Sequence, residues 1–349
     1  MAAGILPLTL LQIGKESTAG TAVAATRRVL TKSATYRHQQ VQEMFEGQLS
    51  GVLSRAVTAP VITREHTQIE VATDLDFEQI LFPLLSGVKG GVTPSSPGSG
   101  EARLWTFAPS QTAPSVDSYT VEYVADDGST KQELEADYAI TSSFEITGGV
   151  EALPQISYSM DARKTSQSTY TSGISLPSMA NEFSANLRWM VRMDDTWANI
   201  GNTNIGNQIY GFTVGQSAVV MPQYYLDARS DLDFSKVEPQ TRTTDLAIEC
   251  TLDTGASNFY ETELAKKASG NLRFCELMLQ GASFSSPDNA LERYIKIRGC
   301  FVHADDSLEE LGGDRDGNSV VALHLLSQYD PTGGIDINYL VSSNVASFP

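Results

Sequence analysis

Apolar and polar residues alternate with a period of two through most of this 349-residue chain. Successive side chains of a strand point to opposite faces of its sheet, so this period predicts strands with one face on a core and the other in water. The longest run spans Phe183 to Met193, and shorter runs cover residues 140–147, 155–161, 246–252, 295–301 and 335–341. We therefore expect a mostly β, antiparallel β-sandwich rather than a doubly wound α/β fold.

Two short segments have the period of a helix instead. In the first, between Asp74 and Leu84, apolar residues recur every three or four positions, and Pro83 is expected to bend or end the helix. The second spans Asn258 to Ala268, with a Glu263–Lys267 pair on its surface and Gly270 just past its end. One or two short helices packed across a sheet edge are therefore predicted.

The segment from Gly14 to Leu30, GKESTAGTAVAATRRVL, consists of small, polar and weakly apolar residues. Such a segment cannot bury enough apolar surface to order by itself, so we expect residues 1–35 to form a flexible arm ahead of a β domain over residues 36–349. Within that domain, residues 86–100 are rich in Gly, Ser and Pro and form a candidate boundary or external loop.

This arm sequence, GxE followed by GTA and AT ahead of a strand-rich chain, resembles the major tail tube proteins of long-tailed (siphovirus-like) bacteriophages. Further segments that carry the resemblance are Val41–Thr67, Trp105–Phe107 leading to Tyr119–Tyr123, Ser143–Gly149 and Leu153–Met160. The resemblance implies a structural virion protein with two sheets per subunit, whose inner sheets join into a barrel in a hexameric ring. Such rings would stack into the tail tube that conducts phage DNA to the host.

By the same resemblance, the partners are further copies of the chain, a tape-measure protein and other tail proteins. Assembly would take place in the cytoplasm of the bacterial host, and the final location would be the virion tail. Contacts between rings are expected in the arm, in the hairpin-like segment Glu43–Thr67 and in the C-terminal tail Ser342–Pro349. The individual candidates for these contacts are Gly14, Glu16, Gly20, Arg27, Arg28, Glu46, Arg55 and Arg64.

The net charge of −18 is distributed unevenly. Residues 1–115 carry 9 basic and 9 acidic residues, whereas residues 116–349 carry 15 basic and 33 acidic residues. Solubility alone accounts for such a charge. In a tail tube the same charge would line a bore through which DNA slides without specific binding, because each neutralised phosphate would add a salt-dependent contact. The candidates for this acidic lumen are Asp305, Asp306, Glu309 and Glu310.

Signatures of catalysis and cofactor binding are missing from the sequence. It contains no GxSxG, HExxH or GxxxxGK[ST] motif, and its four histidines and three cysteines are scattered. The segment Asp314–Asn318 has its Gly too early for a calcium loop and is better explained as a hairpin turn. No run approaches 18 apolar residues. We therefore expect no enzyme activity, no cofactor, no metal and no membrane-spanning segment.

Two other classes of protein share this composition. A capsid decoration or tail-tip ring protein is also β-rich and acidic, but it would form closed rings or trimers and never a filament. A carbohydrate-binding or hydrolytic β-sandwich would need an aromatic platform or a pair of carboxylates in a cleft. The three tryptophans, Trp105, Trp189 and Trp197, are not grouped in the sequence to suggest such a platform.

Overall fold

The computed structural model describes residues 9–43, 60–126, 131–150, 153–177, 183–184, 188–226, 232–252, 259–309, 311–315 and 318–348. Within these ranges the chain forms strands β1 to β19 and helices α1 and α2. Every strand pairing is antiparallel. The prediction of a mostly β, antiparallel fold is therefore confirmed. The helices of the described ranges are all too short or too polar to cross a bilayer.

The first sheet contains seven long strands in the order β3-β4-β8-β7-β11-β14-β18, with the short β17 at its far edge. Only the second half of β7, from Ile140, belongs to this sheet. The strands are β3 (Ser33–Glu43), β4 (Val61–Asp74), β7 (Lys131–Gly149), β8 (Gln155–Ala162), β11 (Ile209–Ser217), β14 (Thr244–Thr251), β17 (Leu311–Arg315) and β18 (Asn318–Ser327).

The second sheet has the order β10-β15-β16-β19-β5, and the end of β16 pairs with β18, so that the two sheets meet at one corner. Its strands are β5 (Arg103–Phe107), β10 (Trp189–Asp194), β15 (Arg273–Ser283), β16 (Glu292–His303) and β19 (Ile337–Ser343). The rings of Phe144 and Tyr339 lie 5.8 Å apart, which shows that the apolar sides of the two sheets face each other.

A third, smaller sheet holds the N-terminal segment against the body. Its order is β2-β1-β6-β7-β9, and β7 passes from it into the first sheet at Tyr138, whose φ of 54° is left-handed. Two further strands, β12 and β13, form a separate hairpin. These strands are β1 (Leu10–Lys15), β2 (Arg27–Val29), β6 (Tyr119–Asp126), β9 (Ser166–Gln167), β12 (Val220–Gln223) and β13 (Lys236–Pro239).

The main cluster of buried apolar residues runs from Leu11 to Phe348 and includes side chains from all three sheets. The loop at residues 86–100 does not divide it. Asp288, which is buried, accepts hydrogen bonds from the backbone N–H groups of Gly100 at 3.0 Å and Ala102 at 2.8 Å. Because these bonds hold the loop against the second sheet, it forms part of the packed surface of the body.

Helix α1 (Leu81–Gly87) begins later than its apolar period predicts, and all its residues are buried. The carboxylate of Asp76 accepts hydrogen bonds from the N–H groups of Glu78 at 2.8 Å and Gln79 at 2.6 Å, so the chain makes a turn before the helix starts. The expectation that Pro83 bends or ends the helix is wrong. Pro83 lies in the first turn, where a backbone N–H has no intrahelical partner to lose.

Helix α2 (Phe259–Ala268) ends as the sequence predicts. Gly270 has a φ of 64°, its N–H bonds to Lys267 O at 3.0 Å, and the next N–H bonds to Lys266 O at 3.1 Å, which is a Schellman motif. The pair expected between Glu263 and Lys267 is replaced by other partners. Glu263 binds Arg273 of β15 at 2.7 Å, and Lys267 donates to two loop carbonyls.

The long strand expected from Phe183 to Met193 is only partly present. Strand structure covers Trp189–Asp194, residues 183–184 are not in a strand, and residues 185–187 lie outside the described ranges. Ser184 instead donates its hydroxyl to the carbonyl of Gln280 at 2.6 Å. A side-chain bond to β15 therefore replaces the backbone pairing that alternation alone would predict there.

Candidate functional site

The outward sides of five neighbouring strands, β8, the second half of β7, β11, β14 and β18, form one continuous polar surface. One row across it joins Ser157, Glu145, Gly215 and Asp245, which are direct cross-strand neighbours. Most of the other outward positions hold Ser, Thr, Gly or Ala. A shallow groove of about 650 Å³ crosses this surface. We call the surface the acidic face, because of the charges described next.

The acidic face carries carboxylates and no Lys or Arg. Its outward carboxylates are those of Glu145, Asp161, Asp245 and Glu249, while the sequences of the five strand segments contain neither lysine nor arginine. Glu145 and Asp245 are exposed, and burial raises the pKa of Asp161. The face is therefore negatively charged at neutral pH, and no basic side chain of these strands offsets that charge.

Basic residues stand instead on the outward side of the second sheet. Arg192, Lys296 and Arg298 surround Glu276, which is fully buried; Arg298 Nε lies 2.6 Å from Glu276 Oε2. Burial tends to raise the pKa of Glu276, but the hydrogen bond from Arg298 and the nearby cations hold it below its ordinary value. Three cations around one carboxylate leave this side of the sandwich positive, opposite in sign to the acidic face.

The first sheet has one open edge within the described ranges. Strand β3 pairs with β4 alone, and most of its 11 residues are exposed. The opposite edge, along β18, is covered by β17, by the end of β16 and by a loop. In that loop Ala304 N–H bonds to His324 O at 3.0 Å and Leu308 N–H to Ala322 O at 2.9 Å. An open strand edge is a template for pairing with another chain.

Past the end of β8, β3 and β4 continue as a ribbon of two strands, which the body contacts at Glu65: this residue is buried, and its N–H bonds to Leu232 O at 2.9 Å. Strand β8 pairs only with Thr67–Asp74, so Val61–His66 and the facing part of β3 extend past it. Val41 and Val61 of this ribbon are exposed by 39% and 48%, and Arg64 lies 5.0 Å from the exposed ring of Tyr224. Because a two-stranded ribbon alone is marginally stable in water, this one is suited to contact a partner.

Residues 9–35, the described part of the segment expected to be a flexible arm, are ordered against the body within a single chain. Leu11 and Ile13 of β1 are buried in the core and β1 pairs with β6. The carboxylate of Glu16 is buried and accepts hydrogen bonds from the N–H groups of Gly20 and Tyr138, both at 2.7 Å. Hydroxyls of β6 and of the residue before it donate to the same carboxylate.

A second buried carboxylate, Glu122 of β6, holds the rest of this segment. It accepts hydrogen bonds from Ala25 N–H at 3.0 Å, Thr171 N–H at 2.7 Å and Gln12 Nε2 at 3.2 Å. Bonds to ionised carboxylates are stronger than those between neutral groups. Hydrogen bonds to the two buried carboxylates, Glu16 and Glu122, therefore order a segment that is poor in apolar residues. Nothing in the sequence around Glu16 or Glu122 distinguishes them from surface glutamates.

The remaining contact candidates of the N-terminal segment also have partners within the chain. A Cβ at Gly14 would lie 2.5 Å from Ala24 O, and Gly20, with a φ of 75°, packs against the Arg163 guanidinium. Arg27 pairs with Glu78 and lies 4.4 Å from the ring of Phe348, in the C-terminal tail. Arg28 donates to Gln12 Oε1 at 3.3 Å. Their role between rings stays a prediction.

Of the candidates in the hairpin, Arg64 is exposed, whereas Glu46 and Arg55 lie outside the described residues. The acidic loop borders the acidic face. Asp306 is exposed and its carboxylate lies 2.9 Å from Nδ1 of His324 on β18, which lowers the pKa of Asp306. Asp305 and Glu309 are exposed and are approached by Lys267 of α2, and Glu310 lies outside the described residues.

In the described part of the chain, no group of three or more His, Cys, Asp or Glu side chains is placed to hold a metal ion. The three cysteines are free and buried, and burial raises the pKa of the thiols of Cys250 and Cys300 to about 12. They therefore behave as small core residues rather than as nucleophiles. Compared with known proteins, the chain matches no family model and no curated protein.

Proposed function

We propose that the chain is a structural virion protein, the subunit of a bacteriophage tail tube. Six copies would form a ring with the acidic face turned inward, and rings would stack head to tail into a tube that conducts DNA. A contact between different surfaces of identical subunits propagates in this way as a filament.

The observation that carries this proposal is the acidic face: five strands with four outward carboxylates and no Lys or Arg. A duplex that passes through a bore must not be held by its phosphates, and each Lys or Arg contact would add such a hold. Carboxylates repel the phosphates, and the small Ser, Thr and Gly side chains between them leave a smooth wall. A surface of this kind would be unsuited to most functions in which a ligand must stay bound to it.

Two further features support assembly. The open edge of β3 offers backbone donors and acceptors for pairing with the next subunit in a ring, which would remove the exposed edge. The two-stranded ribbon at the end of β3 and β4 extends past β8 and exposes Val41 and Val61, so it would reach a neighbouring ring. The positive outward side of the second sheet would then face away from the DNA.

Electron microscopy of the negatively stained, purified protein over a range of concentrations tests this proposal. Hollow tubes with a regular axial repeat should appear as the concentration rises. Discrete closed rings or trimers at every concentration would contradict it, because such particles do not propagate.

A further inference from the structure

A cleft of about 520 Å³ lies at the end of the second sheet, away from the acidic face. It is bounded by the turn after β10, the last turn of α2, the start of β15 and the turn between β18 and β19. All its lining residues belong to the described ranges. Its lining includes Trp197, Phe274, Asp195, Lys266, Asn271 and Thr332.

Trp197 forms an aromatic wall of this cleft and is held firmly in place. A Cβ at Gly333 would lie 3.1 Å from the indole, so the turn packs closely on the ring at that point. The ring of Phe274 lies 6.2 Å away at an interplanar angle of 69°, an edge-to-face arrangement. Trp197 remains partly exposed, and among the described residues nothing accepts a hydrogen bond from its indole N–H. The cleft therefore contains a fixed aromatic surface with a free donor.

Polar groups with both donor and acceptor capacity surround this ring. Asn271 and Thr332 are exposed, and the side-chain amide and hydroxyl have no partner within the described part of the chain. On the other side, the carboxylate of Asp195 is more than half exposed and is oriented by two cations, Lys266, whose Nζ lies at 2.7 Å, and Arg273. Those contacts lower the pKa of Asp195, the hydrogen bond from Lys266 being the largest cause. The carboxylate of Asp195 therefore stays ionised at neutral pH.

We infer that this cleft binds a single saccharide ring stacked on Trp197. The C–H face of a pyranose is apolar and is attracted to the negative face of an indole, while its rim of hydroxyls needs both donors and acceptors. An aromatic surface with a few convergent polar groups is the usual form of a small-ligand site. The indole N–H, Asn271 and Thr332 would meet the hydroxyls, and the Asp195–Lys266 pair would orient the ring.

This site does not depend on the proposed assembly, since every lining residue belongs to one subunit. Saturation-transfer NMR of the full chain tests it with the methyl glycosides of glucose, galactose, mannose, rhamnose and N-acetylglucosamine, each at millimolar concentration. At least one glycoside should show saturable transfer concentrated on one face of its ring. Trp197→Ala should abolish that transfer, and Trp197→Phe should keep it with weaker affinity, because the stacking surface remains but the N–H is lost.

Trp189→Phe is the matched control. Trp189 packs on Phe212 at the other end of β10, so this substitution should leave binding of the glycoside unchanged. If Trp197→Ala fails to fold, Asn271→Ala serves instead: it changes one exposed side chain and should weaken binding several-fold. Absence of transfer from all five glycosides would overturn the inference, as would binding that persists unchanged in the Trp197→Ala or Asn271→Ala variant.

Discussion

Reversing two charges at the centre of the acidic face should turn a surface that repels DNA into one that binds it. Glu145 and Asp245 flank Gly215 in one cross-strand row, both exposed and both pointing outward. They stand two strand spacings apart, about 9.6 Å, so two lysines there can contact one duplex together. Glu145→Lys with Asp245→Lys changes the charge by about +4 per chain, from −18 to about −14. Exposed substitutions of this kind alter the free energy of unfolding by about 0.5 kcal/mol or less.

The magnitude of the effect follows from counterion release. Two neutralised phosphates give a slope of about −1.8 for log K against log salt, so raising salt from about 50 to about 200 mM should weaken binding about 12-fold. At 0.1 M salt the Debye length is about 10 Å, so the repulsion of the duplex by carboxylates farther away than this is largely screened. Fluorescence anisotropy of a short labelled duplex measures the affinity of the variant at the two salt concentrations. The unaltered protein should show no saturable binding at either salt concentration.

The control is a variant with the same charge change elsewhere, Glu238→Lys with Glu261→Lys. Glu238 is on the separate β12–β13 hairpin, where it is partly exposed and pairs with Lys236, and Glu261 is in α2 and is exposed. This variant should bind the duplex no better than the unaltered protein. Equal binding by the two variants would refute the reasoning, because charge alone and not its position would then be responsible. Salt-dependent binding by the unaltered protein would refute it as well.

Three further substitutions test the hydrogen bonds to Glu122 and the buried carboxylates Glu276 and Asp76. Glu122→Gln replaces a carboxylate that accepts bonds from Ala25 and Thr171; it should lower the free energy of unfolding by about 1–3 kcal/mol and raise hydrogen exchange in residues 16–30. Glu276→Gln leaves its surrounding cations without a buried counter-charge and should cost about 3 kcal/mol in urea unfolding, with Glu145→Gln as the neutral control. Burial raises the pKa of Asp76 to about 6 from 3.8, so the folded state binds its proton more tightly. That contribution to stability is complete below the unfolded pKa and is lost as pH rises through about 6. Asp76→Asn should therefore gain stability relative to the unaltered protein between pH 4 and pH 7, by up to about 3 kcal/mol, and no change in that difference with pH would contradict the assignment.

Alternation predicted most of the strands well because burial on one face enforces it. Leu246, Ile248 and Cys250 of β14 are all buried, as their period requires. It failed at residues 183–184, which are not in a strand and where the Ser184 hydroxyl bonds to the carbonyl of Gln280 instead. It also could not give the order of strands, because pairing between residues far apart in the sequence leaves no local signal; Gly215 pairs with Glu145 of β7, and Leu11 pairs with Tyr123 of β6.

The acidic face was predictable only in part. The excess of carboxylates after residue 116 is visible in the sequence, but of the candidates chosen from it Asp306 borders the face at His324 rather than forming it, and Glu310 lies outside the described residues. Glu145 and Asp245 stand far apart in sequence and become neighbours only through β11. The burial of the Glu16 and Glu122 carboxylates could not be predicted for the same reason, since their partners come from distant segments, and Glu16 was named only as a candidate for contacts between rings. Deleting residues 1–30 should accordingly destabilise the fold and not simply free the subunit from its neighbours.

A cryo-electron microscopy reconstruction of the concentrated protein, resolved well enough to trace strands, tests the central proposal most directly. The expected result is a stack of six-fold rings whose bore is lined by the acidic face, β7, β8, β11, β14 and β18, with Glu145 and Asp245 pointing into it. Closed trimers or unstacked rings would contradict the proposed tube. A tube with those two carboxylates on its outer surface would contradict the proposed role of the acidic face.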